Sequence, residues 1–415
     1  MSDKRTVLVM CSALVLVMVG FANYAAVLAS ILADRHFTPA QGGIAGGAFF
    51  LAYAMGSPVF AALTDTRDAK RIYLLGCVFA CAGGITFPIL DDRFVALVVS
   101  RVLSGLGMAG VYMPGLRLLT DAVGPDTRNR AASIYTSTIT LGTSASFAVA
   151  ALLEMVGGWS AAFAGAAVAA ACGAALIALF TTSVPPAKSV CSSRFGARLT
   201  SIMRIPQARL IALAAFGNSW EGMAFRTWWI GLLAFSANQT GHSDWTTSRL
   251  ALLSALAGLL AMPLSVWVAA RSSKATSAAA GARIVAGAAA SSLIVGASLL
   301  IAIDGPFVVV FCLSVLYLCA VFADAGAIPA AMLTNTPPEA RGAALAVLSA
   351  SGNVAAFAGT TACGVVLGLF GGTGVVDAWR AGLLAMMVGA VIAVGAFWRL
   401  SQRVARSGAP ATPPS

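Results

Sequence analysis

Four ionisable residues stand where charge is expensive. Arg101, Glu221, Arg226 and Asp324 each lie well inside a long apolar stretch. A charged side chain at the centre of a spanning helix costs at least about 2.5 kcal/mol, so such residues face partners, cavities or solute pathways. A guanidinium offers a planar fork of N–H donors to carboxylates and other oxyanions. A carboxyl shielded from water is easier to protonate, which proton coupling requires. These types therefore point to anion recognition by Arg101 or Arg226 and proton acceptance by Glu221 or Asp324. Glu221 and Arg226 are five positions apart, about 140° around a helix, so each looks for a partner elsewhere. Asp324 is a candidate partner for Arg226 or a shielded proton site. The same residues would also serve as static ion pairs holding helices together.

Uncharged polar residues supply a candidate cavity lining. Asn23 and Tyr24 lie mid-way along the first apolar stretch, Asn218 is one turn before Glu221 on the same face, and Asn353 lies in the eleventh stretch. Trp220, Trp228 and Trp229 crowd the seventh stretch and would line a cavity, pack, or sit at a membrane interface. Thr136, Thr140 and Thr143 share one helix face; they would touch solute or bond their own backbone. Gly42, Gly43, Gly46 and Gly47 form overlapping small-xxx-small patterns that permit close helix approach, with or without sliding.

The elements carrying these residues follow from composition. Of 415 residues, 59% are hydrophobic and 10% charged, and the mean hydropathy is +0.88. Soluble domains are roughly 45–50% apolar and about 25% charged, so a water-soluble globule and a disordered chain are both excluded. A spanning helix needs about 20 apolar residues. Twelve stretches qualify, near 6–33, 41–63, 72–90, 94–120, 131–156, 159–184, 209–235, 246–270, 282–303, 306–333, 342–370 and 379–399. The expected fold class is an all-α membrane protein of twelve transmembrane helices. With the N-terminus cytoplasmic, twenty of the 26 Lys and Arg fall in inside loops and tails. Arg35, Arg93, Arg249 and Arg380 fall outside. The positive-inside rule then places both termini in the cytoplasm. That topology suits the net charge of +11 better than nucleic-acid binding does. Eight cysteines without a Cys-x-x-Cys pair, and two histidines in different loops, suggest no metal site.

The chain repeats itself. Pro125-Asp126-Thr127-Arg128-Asn129-Arg130-Ala131 and Pro338-Glu339-Ala340-Arg341-Gly342-Ala343-Ala344 share Pro-acid-x-Arg-x-x-Ala, six stretches apart. Pro58 and Pro263 each precede a basic loop, and Pro114 and Pro329 mark the fourth and tenth stretches. The expected organisation is a six-helix half at 1–184, a cytoplasmic linker at 185–208, and a second half with a short tail at 209–415. Parallel six-helix repeats are a transporter architecture. Asp65, Lys70, Arg71, Arg128, Glu339 and Arg341 are candidates for a cytoplasmic latch that forms when that side closes; they also serve simply as sidedness charges.

Ala61-Ala62-Leu63-Thr64-Asp65-Thr66-Arg67-Asp68-Ala69-Lys70-Arg71 resembles the cytoplasmic signature of the major facilitator superfamily, Gly-x-Leu-Ala-Asp-Arg-x-Gly-Arg-Arg. Asp65 and the basic pair are kept; Ala61 and Asp68 replace the glycines, and Ala69 stands where the signature has an arginine. The resemblance assigns that arginine's role to Lys70 or Arg71. Arg101-Val102-Leu103-Ser104-Gly105-Leu106-Gly107 is similar to the family's Arg-x-x-x-Gly-x-Gly. The resemblance covers the whole chain and implies the major facilitator fold. Tyr112-Met113-Pro114-Gly115-Leu116 and Trp220-Glu221 with Arg226-Thr227-Trp228 resemble a bacterial group labelled cyanate-permease-like. The fifth stretch has no proline, unlike proton-driven drug exporters. The second has no arginine and the eighth only Arg249 near its edge, unlike nitrate and nitrite porters.

The expected function is secondary active transport of a small anionic solute across the bacterial inner membrane by alternating access, with a co-transported proton. The alternative is export of amphipathic drugs or metabolites. A third reading is a non-transporting sensor or membrane enzyme, and no nucleophile–base pair or Walker phosphate loop supports it. The expected protein is not an enzyme, has no cofactor, acts as a monomer among lipids, and binds no nucleic acid.

Overall fold

A backbone in hydrocarbon must satisfy its own N–H and C=O groups, and a helix does so within one segment. The computed structural model describes residues 3–90, 93–183, 201–242, 244–337 and 340–406, and these are helical or turn, with no strand among them. Most of the polar stretch 185–208 lies outside the described residues. Nine described helices, with Pro125–Phe180 counted once, are long and apolar enough to cross a membrane. Large apolar side chains such as Leu8, Ile89, Val156 and Ile301 point outward, as a lipid-facing surface requires. The chain divides into two compact units, Met1–Ser192 with Ser243–Leu259, and Ser193–His242 with Leu260–Ser415.

The first unit holds α1 (Asp3–Arg35), α2 (Pro39–Thr66), α3 (Ala69–Leu90) and α4 (Phe94–Ala122). Thr38 caps α2 by accepting from Gln41 N, with Pro39 following as the first helical residue. The helix Pro125–Phe180 is two helices, α5 (125–156) and α6 (159–180), because Gly157 (φ −145°, ψ 24°) and Gly158 (φ +68°) leave helical geometry. Only glycine adopts the Gly158 conformation without strain. This break falls where the sequence separates its fifth and sixth stretches. α1 packs along α5 and α3 along α4, around a core of Met10, Leu14, Phe49, Tyr73, Met108 and Tyr135.

The second unit holds α7 (Pro206–Gln239), the C-terminal part of α8 (Thr247–Ser273), α9 (Ala278–Ile301), α10 (Phe307–Val321), α11 (Ala327–Thr334), α12 (Arg341–Leu369) and α13 (Val376–Arg406). α7 packs against α12 and α13, and α9 against α13. The stretch 306–333, read from sequence as one element, is broken at 322–326. Pro329 lacks an N–H and its ring opposes the carbonyl four residues earlier, which favours a break or kink on its N-terminal side. The restart uses the Asp324 carbonyl, which accepts from Ala327 N (2.9 Å) and Ile328 N (3.2 Å). Gly326 N donates instead to Ser265 Oγ at 3.0 Å.

Candidate functional site

In the first unit the site is built around Arg101. Its residue is 3% exposed, and its Cζ lies 4.9 Å from the Tyr24 ring centroid and 4.8 Å from that of Phe49. Nη1 reaches Asn23 Oδ1 at 3.5 Å, while Nε has no hydrogen-bond partner. Among the described residues no carboxylate lies within ion-pair distance of it. The rings are held in turn: Tyr24 donates its hydroxyl to Gly42 O at 2.7 Å, and Phe21, Phe49 and Phe50 pack edge-on. α1 is tied to α5 here, because Ala22 N donates to Ser146 Oγ (2.9 Å) and Ser146 donates to Val19 O (2.6 Å). Asn23, Phe21, Phe49, Ser104 and Met108 line a small pocket.

The threonine stripe of α5 is less organised. Thr136 donates to Ser133 O at 3.0 Å and Thr143 to Ile139 O at 2.8 Å, both within their own helix. Thr140 is half-buried.

In the second unit α7 carries the polar residues. Glu221 is 2% exposed. Tyr317 of α10 donates to its Oε1 at 2.7 Å, and the Ser292 hydroxyl of α9 lies 3.2 Å from its Oε2. Asn218 Nδ2 donates to Asp324 Oδ1 at 2.6 Å and to Val321 O at 2.8 Å. Asp324 is 1% exposed, and its Oδ2 has no partner. Arg226, half-buried, lies 4.4 Å over the Phe322 ring. The pairing of Arg226 with Asp324 is thus not made; the guanidinium rests on the aromatic residue of the helix break. Neither carboxyl has a cation within ion-pair distance among the described residues.

Other candidates have structural partners. Trp220 Nε1 donates to Ala385 O at 2.9 Å and its ring and backbone press on Gly359. Asn353 Nδ2 donates one turn back to Ser349 O at 2.8 Å. Trp228 and Trp229 are fully buried, bonding Thr360 O and Ser314 Oγ.

The latch candidates of the first unit have separate partners within it. Asp65 pairs with Arg117 of α4. Lys70 Nζ donates to Ala178 O (2.9 Å) and Thr181 O (2.6 Å) at the end of α6. Arg128 Nε donates to Thr120 O at 2.9 Å. The Arg71 and Arg341 side chains take part in no ion pair among the described residues, and Glu339 lies outside those residues. At the other end of the first unit Glu154 accepts from Ser30, from Thr247 at 3.4 Å and from Ser248 at 2.8 Å.

Sequence reading did not single out Tyr317, Ser292, Arg117 or Glu154. Tyr317 and Asp324 are seven apart, a helical repeat that could have flagged the tyrosine. Ser292 carried no such signal among the other hydroxyls of apolar stretches.

The family model described as Major Facilitator Superfamily matches residues 10–360. An uncharacterized MFS-type transporter of Bacillus subtilis (strain 168), YwoD, is 30% identical over 118 residues, 28% of this chain. The match spans 25% of that relative's length. Among solved structures, a bacterial homolog of the human lysosomal transporter Spinster, inward-facing and unoccupied, has a TM-score of 0.79 at 17% identity, covering 99% of both chains. The nucleoside transporter NupG gives 0.71 at 14%, covering 95% of this chain and 98% of that one. A D-xylose-proton symporter gives 0.70 at 12%, covering 93% and 96%. At such identities the likeness is one of fold.

Proposed function

The chain belongs to the major facilitator superfamily, a family of transporters and not enzymes, and from that premise we propose that it moves a small anionic solute across the bacterial inner membrane by alternating access, coupled to protons. One observation carries the anionic reading. Arg101 is buried between two aromatic rings with Nε unpaired and, among the described residues, no carboxylate beside it. Cation–π contacts offset only about 0.5–2 kcal/mol, less than a buried charge costs. An entering anion would supply the missing compensation and accept from the free N–H. Arg226, half-buried in the second unit, lies over a single ring, that of Phe322.

The proton reading rests on Glu221 and Asp324. Both are buried and, among the described residues, have no cation partner, so each is held more cheaply as a neutral acid than as an isolated charge. The charge distribution of the loops supports cytoplasmic termini.

The test is reconstitution. Purified protein is first screened by thermal shift against small carboxylates, inorganic anions, sugars and amphipathic cations, because a ligand stabilises the state it binds. The stabilising anion is then offered to proteoliposomes with an imposed pH gradient. Gradient-driven uptake, lost in Arg101→Ala and Glu221→Gln proteins that still fold, is the expected result. Stabilisation by amphipathic cations alone, or uptake indifferent to the pH gradient, would overturn the reading.

A further inference from the structure

The two buried carboxyls differ in how their hydrogen bonds are arranged. Asp324 has one oxygen satisfied by Asn218 and the other with no partner. Glu221 has a hydroxyl at each oxygen: Tyr317 at Oε1 (2.7 Å) and Ser292 at Oε2 (3.2 Å). Ser292 Oγ also lies 2.9 Å from the carbonyl of Ala289, one turn back on α9. A serine hydroxyl has one proton and accepts through its lone pairs. It cannot donate to Glu221 and to Ala289 together.

We propose that Ser292 is a positioning residue that lets Glu221 exchange its coupled proton with its hydrogen bonds satisfied in both states. When Glu221 is ionised, Ser292 Oγ–H donates to Oε2 and Tyr317 donates to Oε1. When Glu221 takes a proton on Oε2, that proton is donated to Ser292 Oγ, and the serine hydrogen turns to the Ala289 carbonyl. One torsion of one side chain accommodates the change, and no buried polar atom is stranded. Asp324 has no such second arrangement, so the exchanging carboxyl is Glu221.

The surroundings leave that switch in control. Asp324, within the α10 break, is the other carboxyl in the neighbourhood of Glu221. Gly389 of α13 meets it with backbone only. Arg226, five positions along α7, turns to Phe322, and Cys363 of α12 lies near Tyr317.

This inference rests on the proton-coupled reading, and its test separates the two. The ligand is the proton itself, so reconstituted protein is titrated by infrared spectroscopy in the carboxylic-acid band, with no solute present. A titrating band absent from Glu221→Gln is expected. In Ser292→Ala the midpoint rises by about one pH unit, since the ionised form loses a donor while the acid loses only an acceptor. Ser292→Thr, which keeps the hydroxyl, returns the midpoint to within a few tenths of a unit. Tyr317→Phe raises it further, because among the described residues the phenol hydroxyl donates to Glu221 and to no other acceptor. A Ser292→Ala midpoint equal to wild type, failure of threonine to restore it, or a band that survives Glu221→Gln overturns the proposal. If instead these shifts appear but wild-type uptake ignores a pH gradient, the coupling reading fails and the hydroxyl switch stands.

Discussion

Arg117 of α4 holds Asp65 at the end of α2, with Nη1 2.5 Å from the carboxylate and Nε 3.7 Å from Asp121 one turn along its own helix. The pair is a third exposed, so its worth is that of a solvated ion pair, about 0–1 kcal/mol. A double-mutant cycle of Asp65→Asn and Arg117→Gln, read by thermal unfolding in detergent, should give a coupling below about 1 kcal/mol. Transport should fall more than stability does if the pair biases two nearly balanced states. A coupling of several kcal/mol with normal turnover would make it a static brace.

Arg101→Lys should be far from conservative. Lysine keeps the charge but not the flat face that Tyr24 and Phe49 hold from two sides, nor the fork that places an N–H beside Asn23. The affinity for the stabilising anion should fall at least about tenfold, or about 1.4 kcal/mol. The ligand-free thermal midpoint should change little. Titrated thermal shifts check both, and wild-type affinity in Arg101→Lys would remove the residue from the site.

How far these sites could be read from sequence depends on what each residue signals alone. Arg101, Glu221, Arg226 and Asp324 announce themselves because a charge in an apolar stretch is costly whatever surrounds it. Their partners do not. Ser292 and Tyr317 meet Glu221 from residues 71 and 96 positions away, and a hydroxyl in a spanning helix usually satisfies its own backbone. Arg117 reads as one more sidedness charge, since its pairing with Asp65 across 52 residues is a product of helix packing. The α10 break falls in a long apolar stretch, where Pro329 is its trace; Pro114, its counterpart by sequence, lies inside an unbroken α4. The all-helical membrane class and the α5–α6 division were legible because apolar length and a glycine pair are local properties.

Gly389 sets how closely α13 approaches α7 beside Glu221. A methyl there would strike the Gly217 carbonyl oxygen and come within 2.8 Å of Glu221 N. Backbone atoms cannot step aside, so Gly389→Ala should destabilise by about 1–3 kcal/mol. Gly395→Ala, on the same helix with nothing within 4 Å of the added carbon, is the control. It should be neutral or slightly stabilising through helix propensity. Thermal unfolding of the two variants side by side measures the difference, and equal midpoints would show that the helices have room to part.

Asn218 is the residue that secures the helix break. Its amide nitrogen donates to both Asp324 Oδ1 and Val321 O, joining α7 to the end of α10 where the backbone ladder stops. Asn218→Ala leaves two buried acceptors without a donor, at about 1–3 kcal/mol for each unsatisfied group. Asp324→Ala removes one acceptor together with its need for a partner. The two substitutions should therefore be less than additive, with the double variant recovering about 1 kcal/mol or more relative to the sum. Asn218→Gln tests the geometry, because the longer amide keeps the donors but displaces them. It should fold yet lose gradient-driven uptake, since the break would no longer be held in register with Glu221 one turn away. Additive losses in the cycle would mean that Asn218 and Asp324 act separately, and that the break is held by Ser265 and the α11 cap alone.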